Sequence, residues 1–203
     1  MKSAEIMLPG DTPMPPLVVN GEASAYRRTH WTTRELVTIG VFATIIKAST
    51  IMLAYAGGGM NPVTLAAKNC LYATLMIVLL HKVPRTWTMT LAVGITSLIS
   101  LLLMGQGILH GPATVVACLL GEGAISMLGG YGRTRNIVVG VMVAEIASKA
   151  AGLGLSWLVM REQPGMLIVA TVFVAIGAIG TFLGSITGIR FMKELRHAGI
   201  IIH

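Results

Sequence analysis

One aspartate, Asp11, is all that this 203-residue chain contains. Paired aspartates at metal spacing are therefore excluded, and so is the GxGD signature of intramembrane aspartyl chemistry. No GxSxG or HExxH occurs, so neither a serine elbow nor a zinc-protease helix is present. These absences leave an intramembrane enzyme little to work with, and the expectation is that the chain is not an enzyme. The P-loop pattern GxxxxGK[ST] is missing too, so any ATP-driven process here must take its ATPase from another chain. Two cysteines, Cys70 and Cys118, lie inside apolar runs and at neither CxxC nor metal-ligand spacing. They read as buried free thiols, with no disulfide and no metal site implied. Aromatics make up only 5% of the chain, and no dense tryptophan belt fixes its depth in a bilayer.

Charge is scarce as well: 11% of residues are charged, where soluble domains carry about 25%. What fills the gap is 54% hydrophobic residues, with a mean hydropathy of +0.78. The chain reads as an all-α integral membrane protein, with six transmembrane helices at 35–56, 62–81, 86–104, 113–130, 136–160 and 165–189, each near the ~20 residues that cross a bilayer. The breaks "GGGMNP", "HKVPRT", "GQGILHGP", "GGYGRTR" and "REQPG" carry glycine, proline or charge, and none has room for a soluble domain. One compact bundle over 31–190 is expected, between a polar, proline-rich cytoplasmic tail at 1–30 and a basic cytoplasmic tail at 191–203. The first tail lacks the continuous apolar run of a signal peptide. Placing it inside puts Arg27, Arg28, Arg34, Lys82, Arg85, Arg133, Arg135, Arg190, Lys193 and Arg196 in the cytoplasm, and only Arg161 among the loop cations outside. The positive-inside rule thus puts both termini of this multi-pass protein in the cytoplasm. It also accounts for the net charge of +7, so no nucleic-acid partner is implied.

Away from the ends of the spans, five charges remain: Lys47, Lys68, Glu122, Glu145 and Lys149. Each costs about 2.5–3.5 kcal/mol at a helix centre, so each must face protein or water. Glu145 and Lys149 stand at i and i+4, a spacing that allows a structural ion pair along one helix. Lys68 lies about two turns below the outer end of the second helix, next to Asn69 and after Asn61. It either snorkels to the interface or, with Asn61, Asn69, Gln106 and His110, lines an outer ligand pocket. Three lysines against two glutamates leave a cation over, which a ligand carboxylate or phosphate would answer. A neutral lysine is the other solution.

Gly40, Thr44 and Ala48 form a small-residue row at spacing four, which lets another helix approach closely. Lys47 borders this row, so it either pairs with Glu122 or Glu145 across the bundle or lies at a partner interface. A second row, Gly177, Gly180, Gly184 and Gly188 in the last helix, points to tight packing inside the bundle.

The opening "WTTRELVTIGVFATI" (31–45) and the closing "RFMKELRHAGI" (190–200) resemble the Treponema and Streptococcus branch of energy-coupling factor (ECF) transporter S components. That branch opens with a threonine-threonine-basic-acidic entry and closes with a basic amphipathic tail. The resemblance implies a micronutrient-capturing subunit that joins a transmembrane T subunit and two ATPase subunits, in keeping with the missing P-loop. It implies that the small row on helix one meets the T subunit, although the family's row uses alanines where this chain has Gly40 and Thr44. It implies a site near the outer face, closed by a first external loop that here would be "GGGMNP", and transport by toppling of the whole subunit. The ligand expected is a vitamin, a tetrapyrrole such as haem, or a metal chelate, with no cofactor bound for catalysis. A stand-alone secondary transporter of a small anionic solute is the alternative, although the two halves share no evident repeat.

Overall fold

The computed structural model describes residues 31–57, 61–104, 110–159 and 164–197, and these form six helices. The helices are α1 (Thr33–Ala56), α2 (Pro62–Lys82), α3 (Thr88–Met104), α4 (His110–Met127), α5 (Thr134–Val159) and α6 (Pro164–His197). Four of them, α1, α2, α5 and α6, are long and apolar enough to cross a membrane, and α3 and α4 fall just short. The expected tail at 1–30 lies outside the described residues.

α1 begins in a capping box. The Thr32 hydroxyl accepts from the Glu35 N–H at 3.3 Å, and the Glu35 carboxylate accepts from the Thr32 N–H at 2.9 Å. Arg85, in the turn between α2 and α3, donates to the same carboxylate at 3.1 Å. The threonine and acid of the "TTRE" entry therefore start the helix and tie it to the next turn. Ile39, Ala43 and Ile46 bury one face of α1. Asn61 caps α2 by accepting from the Val63 N–H at 3.0 Å, with Pro62 in the first position, where no N–H is required.

α2 is the central element and packs on α1, α3, α5 and α6. Its run Met76–Leu80 is buried on every side, as an all-round apolar helix should be. The glycine row of α6 is what lets α2 come close. A methyl on Gly180 would lie 2.8 Å from the Ala66 Cα, and one on Gly184 would lie 2.7 Å from the Cys70 Cα. Thr74 of α2 spans the contact, 3.0 Å from the Gly184 carbonyl and 2.8 Å from the Thr187 hydroxyl. α4 and α5 cross in the same manner, where a methyl on Gly121 would meet the Gly140 carbonyl at 2.6 Å.

Glu122 of α4 serves a neighbour. Its carboxylate accepts the N–H groups of Trp87 (3.0 Å), Met89 (2.9 Å) and Thr90 (3.1 Å), so it caps α3 from another helix. Trp87 stands at φ 74°, a conformation unusual for a bulky residue, and the turn brings its N–H onto the carboxylate. This position delays α3 to Thr88, two residues after the expected start.

Other boundaries move as well, α1 and α5 each starting two residues early and α4 ending three residues early. α4 starts at His110 rather than at 113, because Pro112 falls in the first turn, where a missing N–H costs nothing. α6 runs unbroken to His197, so the tail expected from 191 is helical over 191–197; "FMKELRH" contains no glycine or proline to stop it.

Gly184→Leu should lower stability by about 3 kcal/mol or more through overpacking against α2. Gly152→Leu, in open space, should not. Thermal unfolding in detergent separates the two, and equal melting would remove the glycine contact. Glu122→Ala, which strands three N–H donors, should cost about 3 kcal/mol or more, and Glu122→Gln less. Hydrogen exchange at Met89 and Thr90 should accelerate in the alanine variant, and unchanged protection would exclude the cap.

Candidate functional site

The expected pocket residues fall into separate places. Asn61 is exposed at the outer end of α2, its side-chain oxygen used by the cap. His110 is the first residue of α4 rather than part of a loop. Gln106 lies outside the described residues, as do the His110 side chain and Gly58, Gly59 and Met60 of the loop expected to be external. Gly57, which ends α1, is pressed against Thr64 so closely that any side chain there would collide with it. That glycine serves a close approach between the end of α1 and the start of α2.

Lys68 and Asn69 are adjacent but turn to different neighbours. The Lys68 ammonium lies within electrostatic reach of Lys47 on α1. Both lysines are half-buried, roughly 9 and 14 Å below the outer ends of their helices at 1.5 Å per residue. Neither side chain makes a hydrogen bond or ion pair among the described residues. Asn69 donates to the Leu65 carbonyl at 2.9 Å and faces α6. Its amide nitrogen lies 2.9 Å from the point where Gly177 would carry a methyl, and the Lys149 Cε lies 3.2 Å from the same point. Gly177 thus leaves the space in which Asn69 of α2 and Lys149 of α5 converge.

Around that point the polar groups form one cluster. Glu145 and Lys149 form the i, i+4 ion pair on α5, and both are mostly buried. Thr181 of α6 accepts from the Lys149 ammonium at 3.0 Å. Its own proton has two acceptors within reach, the Glu145 carboxylate at 3.2 Å and the Gly177 carbonyl at 3.1 Å. Tyr72 of α2 lies within electrostatic reach of Glu145. The lysine and the glutamate are therefore matched to each other and locked to α6.

The pairing of Lys47 with Glu122 or Glu145 is overturned. Glu122 is committed to the N-terminus of α3, and Glu145 to Lys149 and Thr181. The net charge of the interior is what the count gives, but neither acid is placed beside Lys47 or Lys68. One glutamate answers backbone instead of a lysine, so both Lys47 and Lys68 lack an acid among the described residues.

Gly40, Thr44 and Ala48 lie on the outer side of α1, away from the Ile39, Ala43 and Ile46 face. A methyl added at Gly40 would meet nothing within 4 Å, and the Thr44 hydroxyl is satisfied by the Gly40 carbonyl at 2.9 Å. Val37, Val41, Ile45 and Met52 flank the row, all exposed.

Thr181 is not among the expected site residues, although a signal for it exists. Gly177, Thr181 and Ser185 repeat at spacing four, a small and polar stripe on an otherwise apolar helix. In the fold that stripe is buried, with Thr181 4% and Ser185 3% exposed.

Long apolar helices around an inward-facing polar cluster define a multi-pass integral membrane protein. The family model described as "Hypothetical bacterial integral membrane protein (Trep_Strep)" matches residues 33–165, and the chain belongs to that family. The match takes in α1 to α5 and ends as α6 begins. No curated protein and no solved structure matches the chain.

Lys149→Met alone should destabilise the bundle by about 3–5 kcal/mol, because it leaves Glu145 buried without its cation. The double variant Lys149→Met, Glu145→Gln should recover most of that loss. Denaturant or thermal unfolding in detergent checks both, and a double variant no better than the single one would place the stabilisation elsewhere.

Proposed function

We propose that this chain is the substrate-binding S component of an ECF-type importer and captures an anionic micronutrient in the outer half of its bundle. The observation that carries the reading is the pair Lys47 and Lys68. Two ammonium groups close enough to repel one another, within spanning helices and without an acid among the described residues, are costly unless something anionic visits them. A carboxylate or phosphate on a small molecule answers both charges at once, and a vitamin, a haem-like tetrapyrrole or an anionic metal chelate has that chemistry.

The choice of an S component over a stand-alone carrier draws support from α1. Its row of Gly40, Thr44 and Ala48 is turned outward, where small residues gain nothing from lipid but let a second protein's helix approach closely. A T subunit is the partner proposed for that face, with two ATPase subunits supplying the energy that this chain has no P-loop to harness.

Lys47→Ala and Lys68→Ala should each weaken binding of the co-purifying ligand by about tenfold or more, without lowering the melting temperature of the ligand-free protein. The ligand is read by mass spectrometry and absorbance of material extracted from the purified protein. Full retention in both variants would discard the site. Thr44→Phe should break co-purification with the T subunit and ATPases while leaving ligand binding intact. Uptake by this chain alone in liposomes would favour the secondary transporter instead.

A further inference from the structure

A cleft of about 900 Å³ opens at the opposite end of the bundle from the paired lysines, between the inner ends of α2, α5 and α6. The basic residues Lys82, Arg85, Arg133, Arg135, Arg190 and Lys193 all lie at this end, which makes it the cytoplasmic one. Its walls are of two kinds. Arg135, in the first turn of α5, and Lys193, near the end of α6, bring positive charge to it, and the N-terminal end of α5 adds its partial charge. Val138, Val139 and Ile189 make the side toward the membrane apolar.

We propose that this cleft holds an anionic phospholipid of the cytoplasmic leaflet, its phosphate between Arg135 and Lys193 and the upper part of its acyl chains along Val138, Val139 and Ile189. Charge complementarity selects an anionic head group, and the apolar wall selects an amphiphile over a free anion. Tyr131 lines the cleft as well, with its phenol oxygen buried behind the surface and without a hydrogen-bond partner among the described residues. Burial, aided by the Glu122 charge, raises its pKa well above the ordinary phenol value, so the hydroxyl keeps its proton. The polar floor is already ordered. The His81 ring lies 2.8 Å from the Ile77 carbonyl through Nδ1 and 3.1 Å from the Thr134 hydroxyl through Nε2, which fixes the end of α2 against the start of α5. Asn136 donates to the carbonyls of Leu128 and Gly130, both at 2.9 Å, and so holds the turn that carries Tyr131. The site is therefore built before any lipid arrives. It stands independently of the transport reading, since none of its residues contacts Lys47 or Lys68.

The test is native mass spectrometry of the full chain, released from neutral detergent after incubation with phosphatidylglycerol or phosphatidylcholine. Phosphatidylglycerol should be retained preferentially, and the double variant Arg135→Gln, Lys193→Gln should weaken that retention by about tenfold. Val139→Trp keeps both cations but fills the cleft, and it should abolish retention; a circular dichroism melt confirms that each variant is folded. Equal retention of the two lipids by the wild type, or undiminished phosphatidylglycerol in either variant, would overturn the proposal. Displacement of the lipid by inorganic phosphate alone would also overturn it, by showing a site for a free anion.

Discussion

Hydrocarbon offers no partner to a free backbone N–H, and a helix that starts at the edge of a bilayer must find one within the protein. At α3 that partner is Glu122. One carboxylate takes the N–H groups of Trp87, Met89 and Thr90 and holds the residue before the helix in a left-handed conformation. The cap sets the depth at which α3 begins, joins it to α4, and brings α4 to its crossing with α5 at Gly121 and Gly140. Because the carboxylate is consumed there, it is lost to the lysines. A local requirement of one helix end thus shapes the electrostatics of the whole interior.

The same constraint sorts the remaining buried charges. Glu145 and Lys149 neutralise each other, and Thr181 spends its hydroxyl on them, so this cluster resembles a structural clasp among α2, α5 and α6 more than an open site. Lys47 and Lys68 have no such arrangement among the described residues. The two pairs differ in whether a partner has been provided and not in depth, since both sit within spanning helices.

Much of this architecture is legible in the residues. Because the length of a crossing leaves little choice, six apolar runs, broken by glycine, proline and charge, mark six helices within a few residues of their observed ends, save the far end of α6, which runs on to His197. The glycine row of α6 is readable as an internal contact, and the i, i+4 spacing of Glu145 and Lys149 as a pair. What escapes are bonds between distant segments. Glu122 lies more than thirty residues from the N–H groups it caps, with no spacing rule to connect them. Asn69 and Lys149 meet only because Gly177 of a third helix leaves room. Counting charges gives Lys47 a glutamate, and counting cannot see that a carboxylate is taken up by backbone.

The unequal lengths of the helices carry a consequence for the surrounding bilayer. α6, with 34 residues, reaches roughly 50 Å against about 30 Å of hydrocarbon, whereas α3, with 17, reaches roughly 26 Å. Even a steep tilt leaves part of α6 projecting, so one flank of the bundle is tall and another is short. Lipid must thin beside α3 and α4 and relax beside α6, which makes the protein a wedge in membrane thickness. Such a wedge has a preferred bilayer and a preferred orientation within it, and neighbours that match its short flank would relieve the deformation.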